Sequence, residues 1–265
     1  MVLPRFMDIN YHTKNLKRKG VTTIENVFSK KDCQVYVKKC NELFDSLLKK
    51  KITHTFSSLA QIINSPFQYG DDFFYKQVYF PKLDKLLSKL LEKDYVCINT
   101  NLINRRTFKH PEINNAMNRT GGWHTDTRTI GGKIVFRGLS YICTMALEDF
   151  TIENGGTCYI PGSHLKNTIP RRHYNYNHKS MIIKAGTVVL FDSALWHRGG
   201  KSSKTSRWSI VNYYGPWWMK PYYDFEKQLG IKKINKMDKN LRKMLHYYST
   251  PPKNDHLRIS TVVRR

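Results

Sequence analysis

"GTVVLFDSALWHRGG", residues 186–200, holds two apolar runs parted by an Asp-Ser step, the second closed by a histidine, an arginine and two glycines. The run from Val188 to Phe191 is short and rich in β-branched and aromatic residues, as strands are. Asp192 and Ser193 are turn formers, so the stretch reads as strand, turn and second strand, with His197 ending the latter. The same grammar continues on both sides. "GLSYICTMAL" (138–147), "GTCYIPG" (156–162), "SMIIKAGTVVLF" (180–191) and "RWSIVNYYGP" (207–216) are short β-like runs set between Gly, Pro, Asn and Ser. Regular short strands with turn signals predict a sandwich or barrel.

Upstream the period changes. "GVTTIENVF" (20–28) reads as a strand, and Ser29 with Asp32 forms a capping-box pattern before "KKDCQVYVKKCNELFDSLLKKK" (30–51). That segment puts Tyr36, Val37, Cys40, Leu43, Phe44, Leu47 and Leu48 on one helical stripe, as core contacts. A second amphipathic helix runs from Pro81 to Leu91, and "YVCINTNLI" (95–103) is a strand. Residues 52–70 show no clear period, and "SPFQYGDD" (65–72) and the polar stretch 105–122 read as loops. From Pro221 the chain is lysine-rich, with a helical piece in "KMDKNLRKMLHYY" (236–248). Helices first and strands later predict an α+β, mainly β fold in which N-terminal helices buttress one sheet. With no internal repeat or linker, one domain over 1–265 is expected, its core at 20–215 and a lysine-rich C-terminal extension at 221–265.

Composition narrows the function classes. The 265 residues contain no apolar run long enough to span a membrane, and the N-terminus lacks a signal-peptide core. The five cysteines are odd in number and show no CxxC, so reduced thiols in a cytoplasmic protein are expected rather than disulfides or zinc. The net charge of +25 suits an anionic partner, but lysine is scattered along the whole chain alongside abundant Asn, Ile and Tyr, as a compositional bias would leave it. No RNP aromatics, zinc-finger spacing or helix-turn-helix pattern accompanies the charge, so nucleic acid is not expected as a partner. Oligomeric state has no signature in the chain.

The chemistry gathers around "GGWHTDTRTIGG", residues 121–132. His124 and Asp126 are two apart, and on a strand positions i and i+2 share a face. His197 supplies a third donor from a distant strand. Two imidazoles and a carboxylate on one face make the facial triad that suits Fe(II) and leaves positions open on the ion. Ten residues after His197, Arg207 begins a β-like run on which Arg207, Ser209 and Val211 share a face. A buried guanidinium binds a carboxylate bidentately. The distal carboxylate of 2-oxoglutarate, with the Ser209 hydroxyl beside it, meets that need if Arg207 faces inward. Each piece alone has an ordinary explanation: a chance H-x-D, a hydrogen-bonded core histidine, a surface ion pair. His164, in "PGSH", reads as a turn residue rather than a rival ligand. The four together, in order on β-like segments, carry the argument.

These stretches resemble the phytanoyl-CoA dioxygenase family of Fe(II)- and 2-oxoglutarate-dependent oxygenases. "GVTTIENVFSKKDCQVYVKKC" is similar to its first strand and helix, "TNLINRR" to the strand before the metal loop, "WHTD" to its first two ligands, "ALEDFTIENGGTCYIPGSH" to its glycine-rich turn, and "AGTVVLFDSALWHRGGKSSKTSR" to the segment with the last ligand and the arginine. The likeness covers roughly residues 20–215. It implies a double-stranded β-helix, the jelly-roll barrel also seen in cupins. It implies that His124, Asp126 and His197 hold Fe(II), that Arg207 clamps 2-oxoglutarate, and that Asn101 and Thr144 touch the cosubstrate. Because relatives that halogenate lack the carboxylate, Asp126 implies hydroxylation, with O2 consumed and succinate and CO2 released.

The expected activity is therefore hydroxylation of an unactivated C–H bond in a small metabolite or biosynthetic intermediate. The loops 105–120, 127–137 and 166–180 carry Arg105, Arg106 and Arg119, then Arg128, Lys133 and Arg137, then Arg171, Arg172 and His173. These either select an anionic substrate or are solvated loop charges. Two further readings stay open: an oxygenase acting on a macromolecule, nucleic acid or protein, and a non-catalytic jelly-roll binding protein.

Overall fold

The computed structural model describes residues 7–52, 56–57, 60–69, 72–105, 122–135, 137–201 and 205–249. Arg106, Arg119 and the end of the C-terminal extension lie outside the described residues. The chain opens with a helix that the sequence pattern did not signal, α1 (Ile9–Lys19). Its buried residues are only His12 and Leu16, too thin a stripe to read as a period. Asp8 caps it by accepting from Tyr11 N at 3.0 Å, and Gly20 ends it at φ 76°. β1 (Val21–Ile24) is shorter than the run 20–28 suggested.

α2 (Lys30–Lys49) starts at the expected capping box: Asp32 N donates to Ser29 Oγ, and Ser29 N to the Asp32 carboxylate, both at 3.1 Å. Cys33, Cys40, Leu43, Phe44 and Leu47 form its buried face, whereas Leu48 is exposed, because the stripe drifts around the helix in its last turn. Residues 52–70, which showed no period, yield β2 (Phe56–Ser57), β3 (Ala60–Asn64) and a 3-10 turn at Pro66–Tyr69. α3 (Pro81–Leu91) matches its predicted bounds, with proline in the first turn and Leu83, Leu86, Leu87 and Leu91 buried.

The strands follow. They are β4 (Val96–Asn104), the hairpin β5 (Thr129–Ile130) and β6 (Lys133–Ile134), β7 (Tyr141–Ala146), β8 (Cys158–Tyr159), β9 (Lys179–Ser180), β10 (Val188–Asp192), β11 (His197–Arg198) and β12 (Trp208–Gly215). α4 (Phe225–Leu229), α5 (Ile231–Ile234) and α6 (Lys239–Met244) complete the described chain. Seven strands form an antiparallel sheet in the order β1-β10-β7-β12-β4-β3-β2. A smaller antiparallel sheet, β11-β8-β9, is extended by a bridge between His124 and His197. Of the strands from β4 onward, β4, β7, β10 and β12 lie in the large sheet, β8, β9 and β11 in the small one, and β5 and β6 pair only with each other; this passage back and forth between the two sheets is the winding of a double-stranded β-helix.

β12 shows how this winding sorts side chains. Trp208, Ile210 and Tyr214 enter the large apolar cluster shared with α2 and α3, while Val211 and Tyr213 join the second cluster, between the sheets. The period of two therefore directs residues 207, 209, 211 and 213 inward, as Arg207, Ser209 and Val211 were expected to lie. The segment after Pro221 adds Phe225, Leu229, Ile234, Met237, Met244 and Leu245 to the large cluster.

Candidate metal centre

His124 and His197 face each other across an antiparallel bridge in which each backbone N–H donates to the other's carbonyl at 3.0 Å. Each ring is also oriented by its own chain. Nδ1 of His124 donates to Gly122 O at 2.9 Å, and Nδ1 of His197 to Leu195 O at 2.8 Å. In both rings this leaves Nε2 as the basic nitrogen. Asp126 N donates to Ser193 O at 2.8 Å, and the Tyr213 hydroxyl donates to Asp126 O at 2.9 Å, so the backbone that carries the carboxylate is tied to the strand turn after β10 and to β12.

The three side chains converge. Asp126 Oδ2 lies 3.3 Å from His197 Nε2, and Oδ1 lies 3.8 Å from His124 Nε2. One donor atom from each residue falls within 4.8 Å of the others, and theirs is the grouping of metal-ligating side chains found among the described residues. Donors at right angles on an ion with bonds of about 2.1 Å stand about 3 Å apart, so this spacing suits one ion. The electrostatics agree. Burial opposes charge on Asp126, but His197, through charge and hydrogen bond, and then His124 hold its pKa below the ordinary value. Burial likewise opposes a proton on His197, yet Asp126 overrides it and raises that ring's pKa. Burial, followed by His197, lowers that of His124.

The triad opens on a cavity of about 600 Å³ between the sheets. Asn101, Thr144, Arg207 and Ser209 all line it, as do Arg105 and Arg172. Arg207 is 3% exposed; Nε donates to Asn154 O at 3.2 Å, Nη2 to Gly155 O at 3.0 Å, and the guanidinium lies 3.7 Å over the Phe150 ring. Burial, reinforced by Arg105, pushes its pKa down to about 9, with Glu148 opposing. No ion pair to Arg207 occurs among the described residues. Asn101 Oδ1 is buried on this wall without a hydrogen-bond partner. The Ser209 hydroxyl donates to Ile103 O at 3.2 Å, so it must rotate to meet a ligand in the cavity. His164 is apart from this group: buried in a 3-10 turn, its Nε2 donates to Lys17 O at 3.2 Å and ties that turn to α1.

Of the basic loop residues, Arg105 and Arg172 reach the cavity, whereas Arg128 stacks over Tyr222 at 5.0 Å and Arg137 donates to Leu165 O at 2.7 Å. Arg105 was read as the start of a loop. β4 in fact extends one residue beyond the predicted strand, and the alternation that brings Asn101 and Ile103 to the cavity brings Arg105 there too.

Residues 16–209 match the model of a protein family described as phytanoyl-CoA dioxygenase (PhyH). A stretch of 106 residues is 29% identical to an uncharacterized protein of Mycobacterium bovis, covering 39% of each chain. Another of 64 residues is 39% identical to the dioxygenase trt7 of Aspergillus terreus, covering 24% of this chain and 22% of that one. The chain thus spans well under half the length of these curated relatives. Among solved structures, the fold is similar to HygX from Streptomyces hygroscopicus with nickel and 2-oxoglutarate bound (TM-score 0.60, 14% identity, 85% of this chain and 92% of that). It is also similar to the epimerase SnoN in complex with Fe3+, alpha ketoglutarate and nogalamycin RO (TM-score 0.61, 14% identity, 87% and 90%). A third likeness is to the alpha ketoglutarate dependent carbocyclase SnoK from nogalamycin biosynthesis (TM-score 0.60, 14% identity, 81% and 84%). Among the described residues no helix is long and apolar enough to cross a membrane.

Proposed function

The chain belongs to the phytanoyl-CoA dioxygenase family, and on that premise we propose that it is an Fe(II)- and 2-oxoglutarate-dependent oxygenase that hydroxylates an unactivated C–H bond of a small metabolite. The observation that carries this reading is the convergence of His124, Asp126 and His197 within 4.8 Å on a cavity whose wall also holds the buried Arg207. The donor set fits iron. Two imidazoles that present Nε2 and one carboxylate suit a divalent ion of intermediate hardness and leave half of an octahedron for other ligands. The cavity also fits 2-oxoglutarate: the Arg207 guanidinium can take the distal carboxylate, and the orphaned Asn101 side chain offers a hydrogen bond. HygX with nickel and 2-oxoglutarate, and SnoN with Fe3+ and alpha ketoglutarate, support the same pairing of metal and cosubstrate here.

When bound, Fe(II) with 2-oxoglutarate and O2 supplies the oxidising chemistry, releasing succinate and CO2 and leaving one oxygen atom on the substrate. The protein's own groups do the rest. His124 and His197, with Nδ1 committed to the Gly122 and Leu195 carbonyls, present Nε2 in a fixed tautomer and need not reorganise. Asp126 supplies the negative charge of the centre and is kept ionised by both imidazoles. Arg207 orients the cosubstrate from the far wall, and Thr144 and Ser209 line its approach. Phe191, 5.0 Å from the His197 ring, with Val211 and with Phe150 beneath Arg207, gives the cavity apolar walls that exclude water. A cavity of about 600 Å³ lies within the range of small-ligand pockets. With Arg207 committed to the cosubstrate, Arg172, which packs against Gly122 beside the triad, is the cationic group on the lining that favours an anionic substrate.

The test is succinate release from 2-oxoglutarate by Fe(II)-loaded protein, compared with His124→Ala. Release is expected from the parent and about background from the variant; equal release from both refutes the reading.

A further inference from the structure

Arg105 and Arg207 lie across from one another in the sheet. β4 and β12 pair with Asn104 opposite Trp208, and the next rung is closed by Arg105 N–H donating to Arg207 O at 3.2 Å. Both side chains turn to the cavity face, and both are buried, at 6% and 3% exposure. Like charges directly opposite on one face of an antiparallel pair repel. Here the repulsion occurs with little water to screen it.

The surroundings are shaped to hold the pair. Arg105 Nη2 donates to Gly200 O, and Arg207 Nη2 to Gly155 O. A Cβ at Gly199 would lie 2.8 Å from Arg105 Cζ, and one at Gly155 would lie 3.4 Å from Arg105 Nε. Gly199 thus leaves room for this guanidinium beside that of Arg207, while Gly155 packs against it at ordinary contact distance. Glu148, the acid acting on Arg207, has an oxygen already engaged by Trp208 N–H at 2.7 Å. A ligand carboxylate brought to Arg207 would relieve the repulsion between the two cations.

We propose that Arg105 is a positioning residue for the cosubstrate, the second guanidinium of a two-arginine clamp on the distal carboxylate of 2-oxoglutarate. The inference rests on the 2-oxoglutarate reading of the cavity and adds a residue to it. The clamp presents two planar donor forks from adjacent strands, so it selects for the charged end of the diacid and not for the 2-oxo acid as a whole.

The experiment is anaerobic calorimetry on the manganese(II)-loaded full chain with two ligands, 2-oxoglutarate and 2-oxopentanoate, which has the same carbon chain without the distal carboxylate. The parent is expected to prefer 2-oxoglutarate. Arg105→Met should weaken 2-oxoglutarate binding by about tenfold or more while leaving 2-oxopentanoate within about twofold. Arg105→Lys, which keeps the charge and loses the fork, should fall between parent and Arg105→Met. The proposal is overturned if Arg105→Met keeps the parent's preference, or weakens both ligands alike, since a residue that only supports the fold would do the latter. If Arg105→Met does not fold, Arg105→Lys decides by the same ratio. A parent that does not distinguish the two acids would instead bring down the assignment of Arg207, and this inference with it.

Discussion

At the scale of single residues, what the sequence made legible was the order of donors. His124 and Asp126 converge with His197, but of the first two only His124 takes part in strand pairing, through its bridge to His197, so their spacing and residue type were legible and a strand period was not; His197 and Arg207 follow on β-like runs. Arg105 escaped because it sits at a strand end, where one residue of error decides whether a side chain points into a barrel or into solvent. Asp126→Ala removes the anionic donor and its hydrogen bond to His197; coupled succinate release should fall to background, with metal content measured alongside. Arg207→Ala should act differently, raising the 2-oxoglutarate concentration needed for half-maximal turnover by about 10- to 100-fold, as expected for a charge-assisted bidentate contact of roughly 1.5–3 kcal/mol. Unchanged dependence on 2-oxoglutarate would refute its role. His246 affords a pH prediction. Its Nε2 donates to Cys97 O at 3.0 Å and its Nδ1 accepts from Ser249 Oγ at 3.0 Å, the pattern of a neutral ring, and burial lowers its pKa to about 4. Above the ordinary value of 6.5 the ring is neutral in both folded and unfolded chains and contributes no pH dependence. As pH falls below that value the unfolded chain takes up a proton that the folded one refuses, so stability declines, by about 2 kcal/mol at pH 5 and about 3 kcal/mol at pH 4. Urea unfolding at pH 7 and pH 5 should show that loss in the parent and a smaller one in His246→Gln.

Elements were legible where an apolar stripe or a cap marked them: α1 is as long as α3 and was missed for want of a stripe. α3 was read at its bounds because four buried leucines on a helical stripe leave little choice, and α2 because a capping box marks its start. The strands β8, β9 and β11 have two residues each, and a run that short has no period to read. The stretch "SMIIKAGTVVLF" looked like one strand, yet only its ends are: Ser180 belongs to β9 and Val188–Phe191 to β10, and between them Met181 N–H donates to Thr157 O and Ile183 bridges Phe150. α3 also separates stability from function. Leu86 is fully buried in the cluster on the helix side of the large sheet, whereas the cavity lies on the other side. Leu86→Ala should therefore cost roughly 3 kcal/mol in denaturant unfolding. 2-Oxoglutarate affinity of the folded fraction should not change; a loss there comparable to that of Arg207→Ala would show the two faces to be coupled.

For the molecule as a whole, composition said least. The charge of +25 identifies no surface, and the lysine-rich segment after Pro221 concealed a regular apolar contribution. Phe225, Ile234, Met244 and Leu245 are each no more than 1% exposed and pack in the same cluster as α2 and α3. A chain ended after residue 220 should lose its cooperative thermal transition; an unaltered melting curve would show those contacts to be dispensable. The bridge between the two histidines has a consequence for metal choice. Hydrogen bonds between peptides set the separation of the rings, so the socket is built before any ion arrives. A preformed socket with these donors rejects few divalent ions on size, and along the Irving–Williams series nickel and copper would seat more firmly than iron. Supply inside the organism, and not selectivity of the barrel, would then determine which ion the enzyme carries.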